Sequence, residues 1–475
     1  MTNPIHIYNS LTRKNEVFVP IEPQKVKMYV CGPTVYDEPH IGHARSAYIF
    51  DVIRRYFAYK NYKVTFVRNV TDVDDKIIEK ARKEYPGEDL NLAVKKVSDK
   101  YLASYHEAVE QLGILKPDFE PKATEYVSPK KPAMQAFIQK LIDCGAAYVS
   151  GGDVYFDIKK AKDYGKLSHQ SIDKMESGAR VSPGEKKNDP LDFALWKAAK
   201  EGEPSWDSQW GAGRPGWHIE CSVMSSDILG DEFDIHGGGL DLIFPHHENE
   251  IAQSEGAGKK FARVWMHHGL LTINGQKMAK SLGNFVTIKD FLTRHKDADV
   301  LKLFFLSAHY SHPIDYSEEK IEESRQALER ISILINKIHS NLSKFEHQVT
   351  TNQIDDIENI KNKFEKSMDD DFNTPQALAA IFDLVNIANK NIDDLDFIRH
   401  AEYTLKELSG TLGMNLTKIG VANLDEHILS MIFKREKARQ EKNFVLSDKI
   451  RKELEGQNII LEDTKDGKTT WRRKP

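Results

Sequence analysis

The chain has few cysteines, no long apolar run and little net charge. Only three of its 475 residues are cysteine, which argues against a disulfide framework and for a reducing compartment. No stretch of about 18 apolar residues occurs, so we expect no membrane-spanning helix and no membrane partner. The first residues, Met-Thr-Asn-Pro-Ile-His-Ile-Tyr, lack the basic start and apolar core of a signal peptide. These absences predict a cytoplasmic globular protein.

The charge balance restricts how the chain can contact a nucleic acid. Its net charge is only −5, so the protein is not basic overall, and any nucleic-acid contact must use a local patch. One such patch lies around Trp471 near the carboxyl terminus. Its basic residues are Lys465, Lys468, Arg472, Arg473 and Lys474.

The apolar pattern predicts a parallel α/β unit near the amino terminus. Residues 25–31 have the composition of a buried strand, residues 44–60 carry the broad apolar stripe of a helix, and residues 62–70 predict a second strand. A strand, a helix and a strand in this order form a right-handed βαβ unit with parallel strands. The fold class is therefore α/β.

The length predicts several domains, because 475 residues are too many for one core. We predict a parallel-sheet domain over 1–316, with an inserted subdomain at about 115–210 that shows short strand signals. Residues from about 317 to 410 have a helical pattern, which predicts a helical domain over 317–422. A small compact domain over 423–475 completes the chain.

The stretch 29–43 reads Tyr-Val-Cys-Gly-Pro-Thr-Val-Tyr-Asp-Glu-Pro-His-Ile-Gly-His. Cys31 ends the first predicted strand, and His40 and His43 flank Gly42 where the helix begins. Ligands bind at the carboxyl ends of strands in open α/β sheets, and a helix amino terminus offers unpaired N–H groups to an anion. Gly42 allows close approach, and the imidazoles can donate to phosphate oxygens. A helix start with two histidines is the alternative.

A second candidate phosphate motif is the loop Lys277-Met-Ala-Lys-Ser281, which has glycines on both sides. Lys277 and Lys280 can reach neighbouring phosphates as point charges. A solvated basic turn is the alternative. The presence of this loop together with the histidine motif favours a nucleotide site for both.

A scattered set of soft and borderline donors suits a metal ion. Cys31 ends a strand, Cys221 lies in Trp-His-Ile-Glu-Cys, and His246 and Glu250 lie in Pro-His-His-Glu-Asn-Glu. Pro245 suits the first turn of a helix, which would place His246 and Glu250 on one face. Two thiolates, one imidazole and one carboxylate suit Zn²⁺. The alternative is that the cysteines are small apolar core residues and the histidines are satisfied polar groups.

Three further residues are candidates for substrate contacts. Asp241 follows His-Gly-Gly-Gly-Leu, where glycines permit close approach and a carboxylate can accept from ribose hydroxyls; a capped glycine turn is the alternative. Thr71 opens Thr-Asp-Val-Asp-Asp, a tract for an ammonium group or Mg²⁺, unless it is an acidic helix start. Trp217, four residues before Cys221, is a candidate to close over a small side chain, or a plain core tryptophan.

Taken together, these motifs resemble the class I aminoacyl-tRNA synthetases, specifically the cysteinyl-tRNA synthetase family. The tract 213–253 carries most of the likeness, with Gly-Arg-Pro-Gly-Trp-His-Ile-Glu-Cys, His-Gly-Gly-Gly-Leu-Asp-Leu and Phe-Pro-His-His-Glu-Asn-Glu-Ile-Ala-Gln. The resemblance implies a Rossmann-like catalytic domain, a helical bundle that contacts the tRNA stem and a C-terminal anticodon-binding domain. It also implies one Zn²⁺ per subunit. The residues matching the family's zinc ligands are Cys31, Cys221, His246 and Glu250.

The implied activity is that of a cysteine–tRNA ligase. ATP, with Mg²⁺, and L-cysteine would give cysteinyl-adenylate, and the 3′ end of tRNA(Cys) would take the cysteinyl group on a monomeric enzyme. A pocket that relies on shape alone separates near-isosteres by only about 10²-fold, whereas zinc binds a thiolate far more readily than an alcohol. The residues expected to stabilise phosphate charge are His40, His43, Lys277 and Lys280, with Ser281 in the same loop.

One departure and two rival functions are open at this point. The family loop usually reads Lys-Met-Ser-Lys-Ser, and here Ala279 replaces the middle serine, so we expect an effect on rate. A related ligase that passes cysteine to an amino sugar is one rival, and a non-catalytic zinc module that binds RNA is the other. The candidates for anticodon contacts are Arg439, Asp448 and Asp463 for base edges and Phe444 and Trp471 for stacking.

Overall fold

In this computed structural model, described residues are 3–171, 187–278, 283–342, 354–416 and, with gaps at 433, 436, 440–442, 457–458 and 464–468, 431–473. The strands are β1 His6–Asn9, β2 Lys14–Val17, β3 Lys25–Val30, β4 Lys63–Arg68, β5 Ala147–Ser150, β6 Asp153–Phe156, β7 Phe193–Ala198, β8 Gly213–Pro215, β9 Phe233–Gly239, β10 Ala262–His268, β11 Leu271–Ile273, β12 Gln276–Lys277, β13 Ile314–Tyr316, β14 Ile459–Asp463 and β15 Thr469–Arg473. The helices are α1 Ile41–Tyr59, α2 Asp75–Glu84, α3 Leu90–Gln111, α4 Ala123–Val127, α5 Ala133–Asp143, α6 Trp217–Leu229, α7 Glu248–Gly256, α8 Ile288–His295, α9 Ala298–Leu306, α10 Glu318–Leu342, α11 Ile354–Asp369, α12 Thr374–Lys390, α13 Leu395–Thr411 and α14 Phe444–Gly456.

A parallel sheet of strand order β10-β9-β3-β4 carries the site. The chain passes from β3 through α1 to β4 on one side, and from β9 through α7 to β10 on the other. The direction of the connections therefore reverses between β3 and β9. Such a reversal opens a cleft at the carboxyl ends of the strands, which is where open α/β sheets bind ligands. The predicted parallel α/β unit is confirmed.

Helix α1 lies between this sheet and the helical part of the chain. Buried residues such as Phe50 and Ile53 belong to a core cluster that also contains strand residues and residues of α10 to α13. The hydroxyl of Tyr48 donates to the Leu412 carbonyl at 2.6 Å, and that of Tyr56 donates to Asp369 at 2.7 Å. The sheet and the helices after residue 317 thus share apolar contacts through α1.

An antiparallel sheet of order β5-β6-β7-β8 follows α4 and α5 in the predicted insertion. The strand expected at 154–158 ends earlier, at Phe156. The reason is local, because the Asp157 side chain accepts from the Lys159 N–H and starts a short 3₁₀ turn at Ile158. The sheet ends at Pro215, directly before α6, and so delivers the helix that carries Cys221 to the cleft.

The remaining chain is mostly helical, as the sequence pattern predicts. Helices α10 to α13 occupy the region expected to be helical. Near the carboxyl terminus α14 and the β14–β15 hairpin share a small apolar core that includes Ile450, Leu454 and Leu461. The helix predicted for 427–442 falls largely outside the described residues. Among the described helices, none is long and apolar enough to cross a membrane.

Candidate active site and metal centre

Four predicted metal ligands meet at the carboxyl edge of the parallel sheet. Cys31 directly follows β3, Cys221 lies in α6, and Glu250 lies in the first turn of α7. Cys221, His246 and Glu250 are each at least 98% buried. One donor atom from each of the four residues lies within 4.8 Å of the others.

The distances among these donors match a tetrahedral zinc centre. With Zn–S bonds of about 2.3 Å and Zn–N bonds of about 2.0–2.1 Å, tetrahedral geometry separates two thiolates by about 3.8 Å and a thiolate from a nitrogen by about 3.6 Å. Cys31 Sγ lies 3.7 Å from Cys221 Sγ, and Cys221 Sγ lies 3.5 Å from His246 Nε2. Glu250 Oε1 lies 3.7 Å from Cys31 Sγ and 3.0 Å from His246 Nε2. The donor set therefore fits the ion.

The predicted helix start at Pro245 explains how His246 reaches Glu250. Phe244 is extended, with φ −135° and ψ 131°, as expected before a proline. The backbone is helical from Pro245 onwards and continues into α7, so His246 and Glu250 are four residues apart on one helical face.

A second layer of histidines holds the donors in place. His236 Nε2 lies 2.7 Å from Glu250 Oε2, and His218 Nδ1 lies 2.9 Å from His246 Nδ1. His247 Nε2 lies 3.3 Å from Cys31 Sγ, and its Nδ1 lies 2.8 Å from His267 Nε2. The sequence analysis did not predict these supporting roles. The signal available was histidine density, since five histidines lie within residues 236–268.

Two overlapping donor groups exist in the described chain, and their chemistry differs. The second combines Cys31 and Glu250 with His236 and His247. It offers one thiolate instead of two. Zinc favours the group with two thiolates. We therefore interpret His236 and His247 as residues that support the first group.

The site holds groups with strongly displaced pKa values. Burial raises the pKa of Cys31 well above its ordinary value. Burial also opposes ionisation of Cys221, but hydrogen bonds with Cys31 and His246 hold that pKa at about 6. Burial is likewise outweighed at Glu250, where His236 and His246 hold the pKa at about 2. The carboxylate and one thiolate are thus ready to act as anionic ligands.

The histidine motif forms a capping box, which corrects one expectation. His40 Nδ1 accepts from the N–H groups of Gly42 and His43 at 3.1 and 3.3 Å, and the Ile41 N–H donates to the Val286 carbonyl. The first N–H groups of α1 are therefore used inside the protein, and the expectation that they serve an anion is wrong. His43 Nδ1 in turn accepts from the His40 N–H at 3.2 Å. Both rings then carry their proton on Nε2, as donors.

The rings of His40 and His43 stack with centroids 3.7 Å apart. Burial lowers the pKa of His43 to about 3, so this ring is neutral at physiological pH. It acts as a hydrogen-bond donor and not as a cation.

The lysine loop starts beside the histidine motif. Lys277 ends β12. The next residue, Met278, packs beside Gly42: a Cβ atom added to Gly42 would lie 3.5 Å from the methyl carbon of Met278. Residues 279–282, which include Ala279, Lys280 and Ser281, lie outside the described residues.

A cavity of about 410 Å³ connects these parts. Its walls include Cys31, His40, His43, Trp217 and Asp241. Trp217 is 39% exposed and its ring lies 4.2 Å from that of the candidate ligand His246, so it is not a core tryptophan. Such a volume suits a ligand of nucleotide size.

Thr71, predicted to contact the substrate, is not among the residues that line this cavity. It is buried, and its hydroxyl donates to Glu220 Oε2 at 2.6 Å. Asp72 accepts from Thr124, and Asp74 caps α2 by accepting from the Lys76 N–H. These two carboxylates thus have local structural roles, which matches the alternative of an acidic helix start.

Arg45 is a further residue that sequence reasoning missed. Its guanidinium is buried and donates to the carbonyl oxygens of Gly269, Leu270, Tyr310 and His312 at 2.6–3.2 Å. It ties α1 to the segment that leads from β10 towards the lysine loop. Its position two residues after His43 is the only signal in the sequence.

Known proteins share this architecture. A family model described as tRNA synthetases class I (C) catalytic domain matches residues 17–326, and a DALR domain model matches residues 363–417. Mycobacterium tuberculosis methionyl-tRNA synthetase in complex with methionyl-adenylate has a TM-score of 0.61 at 17% identity, covering 86% of this chain and 94% of that one. A putative arginyl-tRNA synthetase from Campylobacter jejuni has a TM-score of 0.56 at 17% identity, covering 83% and 94%. The fold is that of a class I tRNA synthetase.

Relatives of higher identity cover the whole chain. Cysteine–tRNA ligases from Geobacillus thermodenitrificans and Geobacillus sp. are 49% and 50% identical over 485 aligned residues, covering 99% of each chain. The Bacillus cereus enzyme is 48% identical, also over 99% of both chains. The chain belongs to the cysteine–tRNA ligase family.

Proposed function

We propose that this chain, a cysteine–tRNA ligase, forms cysteinyl-adenylate from L-cysteine and ATP and passes the cysteinyl group to the 3′ end of tRNA(Cys), with one zinc ion selecting the thiol. The observation that carries the zinc assignment is the near-tetrahedral spacing of four donors, three of them buried, beside the cavity that Cys31 lines. These donors belong to Cys31, Cys221, His246 and Glu250.

Zinc at these residues would supply a site that binds a thiolate in preference to an alcohol. The chain's own residues then limit what reaches it. Trp217 lines the cavity and packs on His246, with ring centroids 4.2 Å apart, so we assign it to contact with the amino-acid side chain. We therefore assign discrimination between cysteine and serine to this end of the cavity.

The other end of the cavity would hold ATP with Mg²⁺. His40 and His43 present Nε2–H donors to phosphate oxygens whose charge grows during transfer at the α-phosphorus. Lys277, Lys280 and Ser281 are assigned to the same phosphates, which is supported by the contact of Met278 with Gly42. Asp241, exposed on the cavity wall, is assigned to the ribose.

tRNA(Cys) is the proposed acceptor, bound by a monomer of three domains over 1–316, 317–422 and 423–475. In the last of these Phe444 is 61% exposed, and Arg439 and Asp448 are also exposed. Such residues suit contacts with unpaired bases. The side chains of Asp463 and Trp471 lie outside the described residues, and their assignment to the anticodon rests on the sequence.

The rival acceptor, an amino sugar, finds no support. The relatives that cover 99% of the chain are tRNA ligases, and the DALR domain model matches part of the helical region. We therefore assign a tRNA acceptor.

A paired substitution tests the proposal. Cys221→Ser is expected to lose zinc and to remove the preference for cysteine over serine, because one of the two thiolates is gone. Cys144→Ser is the matched control, since Cys144 is exposed and has no role assigned to it. Zinc content and charging of a tRNA transcript with cysteine and with serine are measured on the same preparations. Retained zinc and selectivity in Cys221→Ser would refute the ligand set.

A further inference from the structure

His268 is a buried histidine of the cavity wall, and one of its ring nitrogens has no hydrogen-bond partner among the described residues. It is the last residue of β10, it is 7% exposed, and it lines the same cavity as His40 and Asp241. Its Nδ1 lies 2.9 Å from the Gly269 carbonyl oxygen, and its buried Nε2 has no hydrogen-bond partner among the described residues. Buried ring nitrogens in native proteins are normally paired, so this atom points to a ligand.

The chemistry of that nitrogen follows from its partner. A carbonyl oxygen only accepts, so the proton of the neutral ring sits on Nδ1 and Nε2 carries a lone pair. Burial and the nearby Arg45 lower the pKa of His268 to about 4, so the ring stays neutral at physiological pH. His268 therefore needs a donor from the ligand.

A second acceptor stands next to it. A Cβ built on Gly239 would lie 2.4 Å from Asp241 Oδ1 and 3.4 Å from His268 Cε1. The carboxylate and the imidazole therefore approach the same point of the β9 backbone. A side chain at Gly239 would collide with Asp241, so the glycine is what allows the carboxylate to lie next to the imidazole.

The ligand's own donors decide which part of it fits. Triphosphate oxygens accept and do not donate at neutral pH. The ammonium group of an amino acid is disfavoured beside the Arg45 guanidinium, which bonds to the Gly269 carbonyl at 2.7 Å. A nucleoside offers two neighbouring donors in its ribose 2′- and 3′-hydroxyls, which match two neighbouring acceptors.

We propose that His268 Nε2 accepts a hydrogen bond from a ribose hydroxyl of ATP, beside Asp241, and so contributes to nucleotide specificity. This inference rests on the proposed binding of ATP in the cavity. It makes His268 a specificity-determining residue for the sugar of the nucleotide, whereas zinc and Trp217 are assigned to selection of the amino acid.

The test compares nucleotides within each variant, so that a general loss of activity cancels. Cysteine-dependent ATP–pyrophosphate exchange is measured with ATP, 2′-deoxy-ATP and 3′-deoxy-ATP for the wild type, His268→Phe and His268→Asn. We expect the wild type to lose about 10-fold in kcat/KM with one of the deoxy nucleotides. His268→Phe should show a similar loss with ATP itself and no further loss with that deoxy nucleotide. His268→Asn, which keeps an acceptor, should recover part of the preference.

Several outcomes would overturn the inference. One is a His268→Phe enzyme that separates ATP from both deoxy nucleotides as well as the wild type does. Another is a change in the ratio of ATP to inosine triphosphate alone, which would place the contact on the base. Zinc content and the thermal midpoint are measured in parallel to detect a merely structural effect. A wild type without any cysteine-dependent exchange would instead refute the proposed function.

Discussion

At the scale of single residues, the donor atoms of the metal centre are each oriented by another side chain. Glu250 meets both His236 and His246, and His246 meets His218 on its other nitrogen. Partners of this kind fix ring orientation and ligand basicity, and their loss typically costs 10–100-fold in metal affinity.

His236→Asn is therefore expected to weaken zinc binding by about 10- to 100-fold while the four ligands remain. The physical reason is the loss of the 2.7 Å contact to Glu250 Oε2. Zinc affinity is measured by competition with a chromogenic chelator. His295→Asn, a buried histidine in α8 outside the metal centre, is the control and should leave the affinity unchanged. Equal affinities for both variants would contradict the supporting role of His236.

The metal centre also shows which contacts can be predicted from the sequence and which cannot. The chemistry of cysteine, histidine and glutamate predicts a zinc set, and the chain brings those side chains together. The neighbouring pair His246 and His247 differs only in surroundings, because His246 faces Cys221 and His247 faces Cys31 and His267. The i, i+4 spacing predicts His246 beside Glu250, but the contact of His247 with Cys31, 216 residues away, is not visible in the sequence pattern.

At the scale of elements, strand β9 includes the three glycines that the sequence pattern places after the strand. Gly237 is paired with Met266 and Val30 in the parallel sheet. A Cβ there would lie 2.3 Å from the Phe50 ring. The glycine is thus required by the packing of α1 on the sheet, which is a tertiary cause.

Gly237→Ala is expected to destabilise the protein by about 1–3 kcal/mol through overpacking against Phe50. Gly410→Ala in α13 is the matched control, because no atom of the described residues lies within 4 Å of a Cβ there. That change should be neutral or stabilise by up to about 1 kcal/mol, since alanine favours the helix. Thermal midpoints of both variants give the comparison. The same sign for both would show that the sheet relaxes around Phe50.

The exposed start of α14 leads to a prediction about tRNA. Phe444 is 61% exposed, so its removal should not disturb the core. Phe444→Ala is expected to raise the KM for tRNA by roughly 5- to 100-fold if it stacks on a base, with ATP–pyrophosphate exchange unchanged. Tyr403→Ala is the control, an aromatic residue of α13 that is 73% exposed. A tRNA KM that is unaffected by Phe444→Ala would remove this residue from the anticodon contacts.

At the scale of the whole molecule, α1 connects nucleotide binding to the shared core. Its first turn carries His40 and His43, Arg45 holds the chain that leads to the lysine loop, and its buried face packs on the sheet and on the later helices. Near the cleft, burial lowers the pKa of several histidines and keeps their rings neutral.

Acid is therefore expected to destabilise the fold. Burial lowers the pKa of His43 to about 3 and that of His268 to about 4, whereas an unfolded histidine has a pKa of about 6.5. Below pH 6.5 the unfolded chain binds more protons than the folded one, so stability is full above that pH and falls as the pH drops towards the folded values. At pH 5 each ring is expected to lower the free energy of unfolding by on the order of 2 kcal/mol relative to neutral pH.

The thermal midpoint between pH 7.5 and pH 5 measures this effect. The wild type should lose stability on acidification, and His268→Asn should show a shallower slope because one of the buried rings is absent. Both proteins are treated with chelator beforehand, since acid also releases zinc from its ligands. Equal slopes would show that His268 does not contribute to the acid response.

The sequence by itself determined the α/β class, the helical region and the chemistry of the ligand set. Period, turn residues and side-chain type are local properties, so a few neighbouring residues suffice to specify them. Only the tertiary structure decided that His40 accepts from the first N–H groups of α1, that His236 contacts Glu250, and that a buried ring nitrogen of His268 has no partner among the described residues. Hydrogen-bond partners such as His236 and Glu250 are separated in the sequence and are brought together by tertiary packing, so a local sequence pattern does not predict which donor pairs with which acceptor.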